Sequence, residues 1–111
     1  MRRIICRFED GPTFLEHICR GQKSSDPLTF SFLGEFGLRH TETIRVAIII
    51  DDPGERHDLH LQIGGRRPTQ AHTGEGPRWR YDAQPTREDA VWLQMLVAKF
   101  STAQRLNHRA A

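Results

Sequence analysis

"TIRVAIIIDDPGERHDLHLQI", residues 43–63, holds two strand patterns around one turn. Its first half, Thr43 to Ile50, is crowded with β-branched residues, whose stiff side chains pack well on a pleated surface. Asp51-Asp52-Pro53-Gly54 then supplies turn chemistry: proline presets one backbone angle, glycine accepts the left-handed region, and aspartate bonds to nearby backbone. Asp58-Leu59-His60-Leu61-Gln62-Ile63 alternates strictly, which sets Leu59, Leu61 and Ile63 on one face. The combination predicts an antiparallel hairpin that ends at Gly64-Gly65-Arg66-Arg67-Pro68.

Outside the hairpin the same two-residue period recurs. Arg2 to Phe8 places Ile4, Cys6 and Phe8 on one side and Arg3, Ile5 and Arg7 on the other, as a first strand would. Leu28-Thr29-Phe30-Ser31-Phe32-Leu33 alternates large apolar with small polar side chains before Gly34. Arg78-Trp79-Arg80-Tyr81-Asp82 offers a further strand after a polar stretch that reaches Pro77. These segments give a count of five strands. Between the first two, Asp10-Gly11-Pro12-Thr13 is a turn cluster, and 14–19 suits either a helical turn or an extended segment.

The period changes near the end. Thr86-Arg87-Glu88-Asp89 has a hydroxyl followed three residues later by a carboxylate, a helix-start signal, and Pro85 closes the segment before it. Leu93, Leu96, Val97 and Phe100 then recur at helical spacing, and Trp92 and Met95 are expected to widen that stripe into a broad buried face. The expected domain is residues 1–106, with 107–111 fraying as a tail.

A chain of 111 residues supports one modest core. Apolar residues at 37% and charged residues at 27% match a globular domain rather than a disordered one. The longest apolar run, Val46 to Ile50, is far below the roughly 20 residues needed to cross a bilayer. Arg7, Glu9 and Asp10 interrupt the N-terminal apolar residues before a signal-peptide core could form, so a cytoplasmic protein is expected. Cys6 and Cys19 have neither disulfide-framework nor metal-knuckle spacing and read as reduced, buried thiols. A net charge of +2 is too small to indicate binding to a nucleic-acid backbone.

Few residue patterns point to chemistry. His57 and His60 lie three apart on a strand, so they face opposite sides and cannot grip one metal ion. Asp51 and Asp52 are explained by the turn. No phosphate loop, nucleophile elbow or catalytic Cys/His arrangement is present, which points to a binding module rather than an enzyme. Arg3 and Arg7 form R-x-x-x-R, and paired guanidinium groups can hold phosphate oxygens and stack on purines.

The order of these pieces, "TFLEHI" (13–18), "QKSSDP" (22–27), "GLRHTETIRVAIII" (37–50), "RWRYDA" (78–83) and "TREDAVWLQMLVAKF" (86–100), resembles the PilZ domain family across nearly the whole chain. That resemblance implies a mainly β fold: a small antiparallel β-barrel of five to six strands followed by a C-terminal α-helix. It also implies a regulatory role without catalysis, since such domains commonly sense cyclic di-GMP. In the family an R-x-x-x-R and a D/N-x-S-x-x-G loop clasp that ligand. Here Arg3 and Arg7 fit the first motif, and the loop 22–27 keeps Ser24 but has Gln22 and Pro27 at the other two positions. A proline has a fixed φ and no amide proton, so it can neither take a left-handed turn nor donate to a phosphate.

The resulting expectation is a PilZ-like adaptor in bacterial signalling or motility, acting by contact with a protein partner and without tight cyclic di-GMP binding. It needs no cofactor, does not insert into a membrane, and leaves room for a homo-oligomer. The alternative is a genuine cyclic di-GMP receptor with Arg3, Arg7, Arg20, Ser24 and Asp26 as its clasp. A third reading, from a different class, is a nucleic-acid binder using Arg66, Arg67, Arg78 and Arg80, with Trp79 or Tyr81 stacking on bases. Partner identity is not legible in the sequence.

Overall fold

The computed structural model describes residues 1–21, 25–34, 37–69 and 79–110, with side chains through 103 in the last segment. The chain runs β1 (Arg3–Asp10), α1 (Gly11–Leu15), β2 (Ile18–Cys19), β3 (Thr29–Gly34), β4 (Thr43–Asp52), β5 (Glu55–Pro68), β6 (Trp79–Pro85) and α2 (Ala90–Ala110). The mainly β architecture with a C-terminal helix is therefore the one expected. All six strands form one sheet in the order β1-β4-β5-β6-β3-β2. It is an open sheet rather than a closed barrel: β1 and β2 end the order and do not pair with each other.

The 43–63 hairpin supplies the second and third strands of this order. β4 and β5 pair antiparallel from Thr43↔Gln62 to Ile50↔Glu55. Gly54 makes the turn with φ of +96°, a conformation that side chains with a Cβ rarely adopt. The first strand joins β4 parallel, Arg3 opposite Arg45 and Phe8 opposite Ile50, a pairing that no local turn could announce. Beyond Ile63, the expected strand end is a β-bulge between Ile63 and Gly65, after which β5 continues to Pro68 against β6. Glycines at a bulge mark a bend in a strand as readily as its end.

One face of the sheet is buried. Ile4 and Phe8, Ile44, Val46, Ile48 and Ile50, Leu59, Leu61 and Ile63, Tyr81 and Ala83, and Phe30 and Phe32 form a continuous core. Helix α2 closes it with Leu93, Leu96, Val97 and Phe100, the stripe read from the sequence. Trp92 and Met95 do not widen that stripe: they are 61% and 57% exposed. The reason is helical geometry. At 3.6 residues per turn the four buried residues already span the arc that faces the sheet, Trp92 falls beside it, and Met95 points away.

The helix also starts later than expected, at Ala90, because Thr86–Asp89 forms a turn in which the Asp89 N–H donates to the Thr86 carbonyl at 3.0 Å. Asp89 is drawn elsewhere: its carboxylate accepts from the backbone N–H of His60 at 2.7 Å, satisfying a β5 amide beyond the reach of β6. At the other end α2 is helical to Ala110, where fraying after Leu106 was the expectation.

The segment 14–19, which suited either conformation, contains both. Asp10 caps the short α1, accepting from the Thr13 hydroxyl at 2.7 Å and the Thr13 N–H at 2.9 Å. The helix fits against α2 because residue 11 is glycine; a Cβ there would meet the Phe100 ring at 2.3 Å. His17 then donates from Nδ1 to the Ser31 carbonyl at 2.8 Å, while its own carbonyl accepts from the Ser31 N–H.

Two consequences are measurable. Leu93→Ala should destabilise the protein by roughly 2–5 kcal/mol in urea denaturation, whereas Met95→Ala should stay within about 0.5 kcal/mol. The Asp10 carboxyl is held below its ordinary value, first by the Thr13 hydroxyl and then by the Thr13 N–H. The fold thus favours ionised Asp10, a contribution present above the ordinary carboxylate range and lost as pH falls through the folded value. Asp10→Ala should therefore lower Tm most at neutral pH, with the gap to wild type narrowing in acid.

Candidate functional site

Strand parity places Arg3, Ile5 and Arg7 on the open face of β1, opposite the core residues Ile4 and Phe8. Arg3 is exposed and lies across from Arg45. Arg7 donates from Nε to both oxygens of Asp51, at 2.9 and 3.1 Å, so one of the turn aspartates serves as its partner. Arg20 is exposed just after β2, at the far end of the sheet order from β1. Asp26 is half-buried and folds back on Gly21, where an added Cβ would meet the Asp26 side chain at 2.3 Å. Ser24 lies outside the described residues, as do Gln22 and Lys23. The structure thus joins Arg3 and Arg7 on one exposed face, while Arg20 and Asp26 belong to a loop that starts from the opposite sheet edge.

The described arginines of the nucleic-acid reading are engaged within the chain. Arg66 lies 4.4 Å over the half-buried Trp79 ring, Arg67 pairs with Asp82 at 3.6 Å, and Arg80 donates to the Ser31 hydroxyl at 3.0 Å. Tyr81 is fully buried, stacked on Phe32 at 5.5 Å, with its hydroxyl accepting from the Leu38 N–H. It has no face to offer a base. Arg78 lies outside the described residues, as does the polar stretch before it.

His57 and His60, three apart on β5, fall on opposite faces of the strand. His57 lies 3.2 Å from Glu55 on the helix-covered side, and His60 Nδ1 lies 3.0 Å from Asp89. No cluster of three or more metal-ligating side chains occurs among the described residues. Nor is any of their helices long and apolar enough to cross a membrane.

Among the described residues, two concavities bear on a site. One, of about 320 Å³, has Leu38 and Ile63 in its wall and Arg39, His40 and Arg66 beside it. Next to it Thr41 holds a left-handed φ of +67° while its N–H donates to the Ile63 carbonyl at 2.8 Å. The other, of about 240 Å³, is a groove between α2 and the part of β5 that β6 does not reach, lined by Arg56, His57, Asp58, Leu59, Asp89, Trp92 and Leu96. Trp92 stands at this groove with Val91 and Met95 beside it on the helix, all three more than half exposed. Sequence reasoning took Trp92 and Met95 for core and passed over Val91. The signal that separates them is angular position about the helix axis, which apolar character alone does not carry.

No protein-family model, curated protein or solved structure matches this chain.

The two thiols differ in a way the sequence reading missed. Cys19 is exposed rather than buried, while Cys6 is half-buried and its pKa is raised by burial to about 11. Because the thiolate is the reacting species, Cys6 should alkylate more slowly than the exposed Cys19 at neutral pH. Iodoacetamide labelling followed by peptide mass mapping checks this; equal rates would contradict the buried environment.

Proposed function

We propose that this protein is a non-catalytic, PilZ-like adaptor that works by binding a protein partner, with the outer side of α2 as its docking surface. The observation that carries the reading is the cluster Val91, Trp92 and Met95, exposed at 60%, 61% and 57%. Apolar surface gathered on one helix face of a small domain is a common mark of an interaction site. Tryptophan and methionine are also enriched at the centres of protein interfaces, where a large or adaptable side chain fills a partner's pocket. Arg56, Asp58 and Asp89 border the adjoining groove, giving the apolar centre a polar rim. The partner is accordingly one that presents an apolar patch edged by hydrogen-bonding groups, and bacterial signalling or motility is the setting the family resemblance suggests.

A second reading, the cyclic di-GMP receptor, is favoured by the common exposed face of Arg3 and Arg7. Against it stands Pro27, which has no N–H to donate to a phosphate. Calorimetric titration separates the two. The adaptor should give no heat of binding at micromolar cyclic di-GMP, whereas binding in that range that Arg3→Ala and Arg7→Ala abolish would replace it with the receptor. For the adaptor itself, Trp92→Ser should leave stability within about 0.5 kcal/mol yet lose the partner retained by wild type in affinity capture.

A further inference from the structure

The two ends of the sheet are unlike. At one end β2 is only two residues long, which itself blunts that edge. At the other end β1 runs eight residues, Arg3–Asp10, without a proline, and its pairing to β4 shows no register shift. Its central Ile5 is 67% exposed. Such a strand presents a continuous row of backbone donors and acceptors to any chain that can pair with it.

The phase of that row is fixed. The Arg45 N–H donates to the Arg2 carbonyl at 2.9 Å, so the even-numbered residues of this strand direct their backbone groups toward β4. Alternation then turns the amides and carbonyls of Arg3, Ile5, Arg7 and Glu9 outward. Among the described residues β1 pairs only with β4, and neither Arg3 nor Glu9 makes a side-chain ion pair or hydrogen bond.

We infer that β1 recognises β1 of a second copy of this chain, antiparallel about a two-fold axis through Cys6, so that Arg3 of each copy faces Glu9 of the other. Two-fold pairing requires outward residues to meet outward residues, and three such registers overlap most of the strand: those centred on Ile5, Cys6 and Arg7. The first sets Arg3 against Arg7, and the last sets Arg7 against itself. Like charges directly opposite are destabilising, whereas opposite charges there stabilise. Only the Cys6 register avoids like pairs. It sets Arg3 across from Glu9 at both ends, and it lays the Arg7 stem along exposed Ile5, with Ile4 and Phe8 remaining on the core side. The two sheets then merge into one, and the long open edge of each copy is covered.

Sedimentation equilibrium over a concentration series, with variants of the full chain, tests this. Wild type should dimerise. Arg3→Glu or Glu9→Arg alone places like charges at two symmetry-related positions and should raise the dissociation constant by roughly tenfold. The double variant Arg3→Glu/Glu9→Arg restores opposite charges and should return it close to the wild-type value, a rescue that a merely misfolded single variant would not show. A monomer at every concentration up to the solubility limit would overturn the proposal. So would a double variant weaker than either single one, or a dimer that Trp92→Ser disperses and Arg3→Glu leaves intact.

Discussion

Phe8 ties together parts of the sheet that hydrogen bonding leaves apart. It sits on β1, the first strand in the spatial order, and its ring lies 6.1 Å from Phe30 on β3, the fifth. It also meets Phe14 of α1 at 5.6 Å and His17 at 4.9 Å, while Phe14 reaches Phe100 of α2 at 6.0 Å. From Phe30 the chain of rings continues to Phe32 and Tyr81, at 5.8 and 5.5 Å. A flat sheet would hold β1 and β3 too far apart for such contact, since adjacent strands are separated by about 4.8 Å. The aromatic contacts therefore depend on curl, and α1 and α2 pack onto the same inner face through Phe14 and Phe100.

That dependence explains which parts of the fold were legible in the sequence. Hairpin β4–β5 was, because its alternation and its turn are local. The buried stripe of α2 was, because Leu93, Leu96, Val97 and Phe100 recur within a few turns. Phe8, Phe14, Phe30 and Phe100 carry no mutual signal, since their contacts span the entire chain. The parallel pairing of β1 with β4 was hidden for the same reason: the intervening α1, β2 and β3 contain no turn that implies it. Gly64-Gly65 was misread because the residues that end a strand are also those that bend one.

The candidate surfaces were less legible, and for a different reason. An apolar residue on an amphipathic helix carries the same letter whether it faces the core or a partner. Trp92 and Met95 sit one position before Leu93 and Leu96, and this single step, about 100° around the axis, moves them from sheet to solvent. The arginines present the converse case. Sequence offered Arg7 and Arg67 as ligand hooks, yet Arg7 meets Asp51 and Arg67 meets Asp82; Arg45 and Arg56 both meet Asp58, so much of the basic charge is balanced within the chain.

Those pairs are not locks. Exposed ion pairs contribute about 0–1 kcal/mol, and a phosphate that accepts two guanidinium hydrogen bonds could displace a carboxylate from Arg7. What argues for protein contact is the quality of the surface that has no such substitute. Trp92 and Met95 cannot satisfy their hydrophobic area by rotating to a neighbouring charge, and the outward amides of β1 cannot be quenched by side chains as they can by another strand. Water is the alternative partner of both. Displacing it from an apolar helix face is favourable on its own, while displacing it from a strand edge exchanges one set of hydrogen bonds for another and gains little net energy. The helix face is therefore suited to supplying affinity, and the edge, through its phase and its charges, to supplying register.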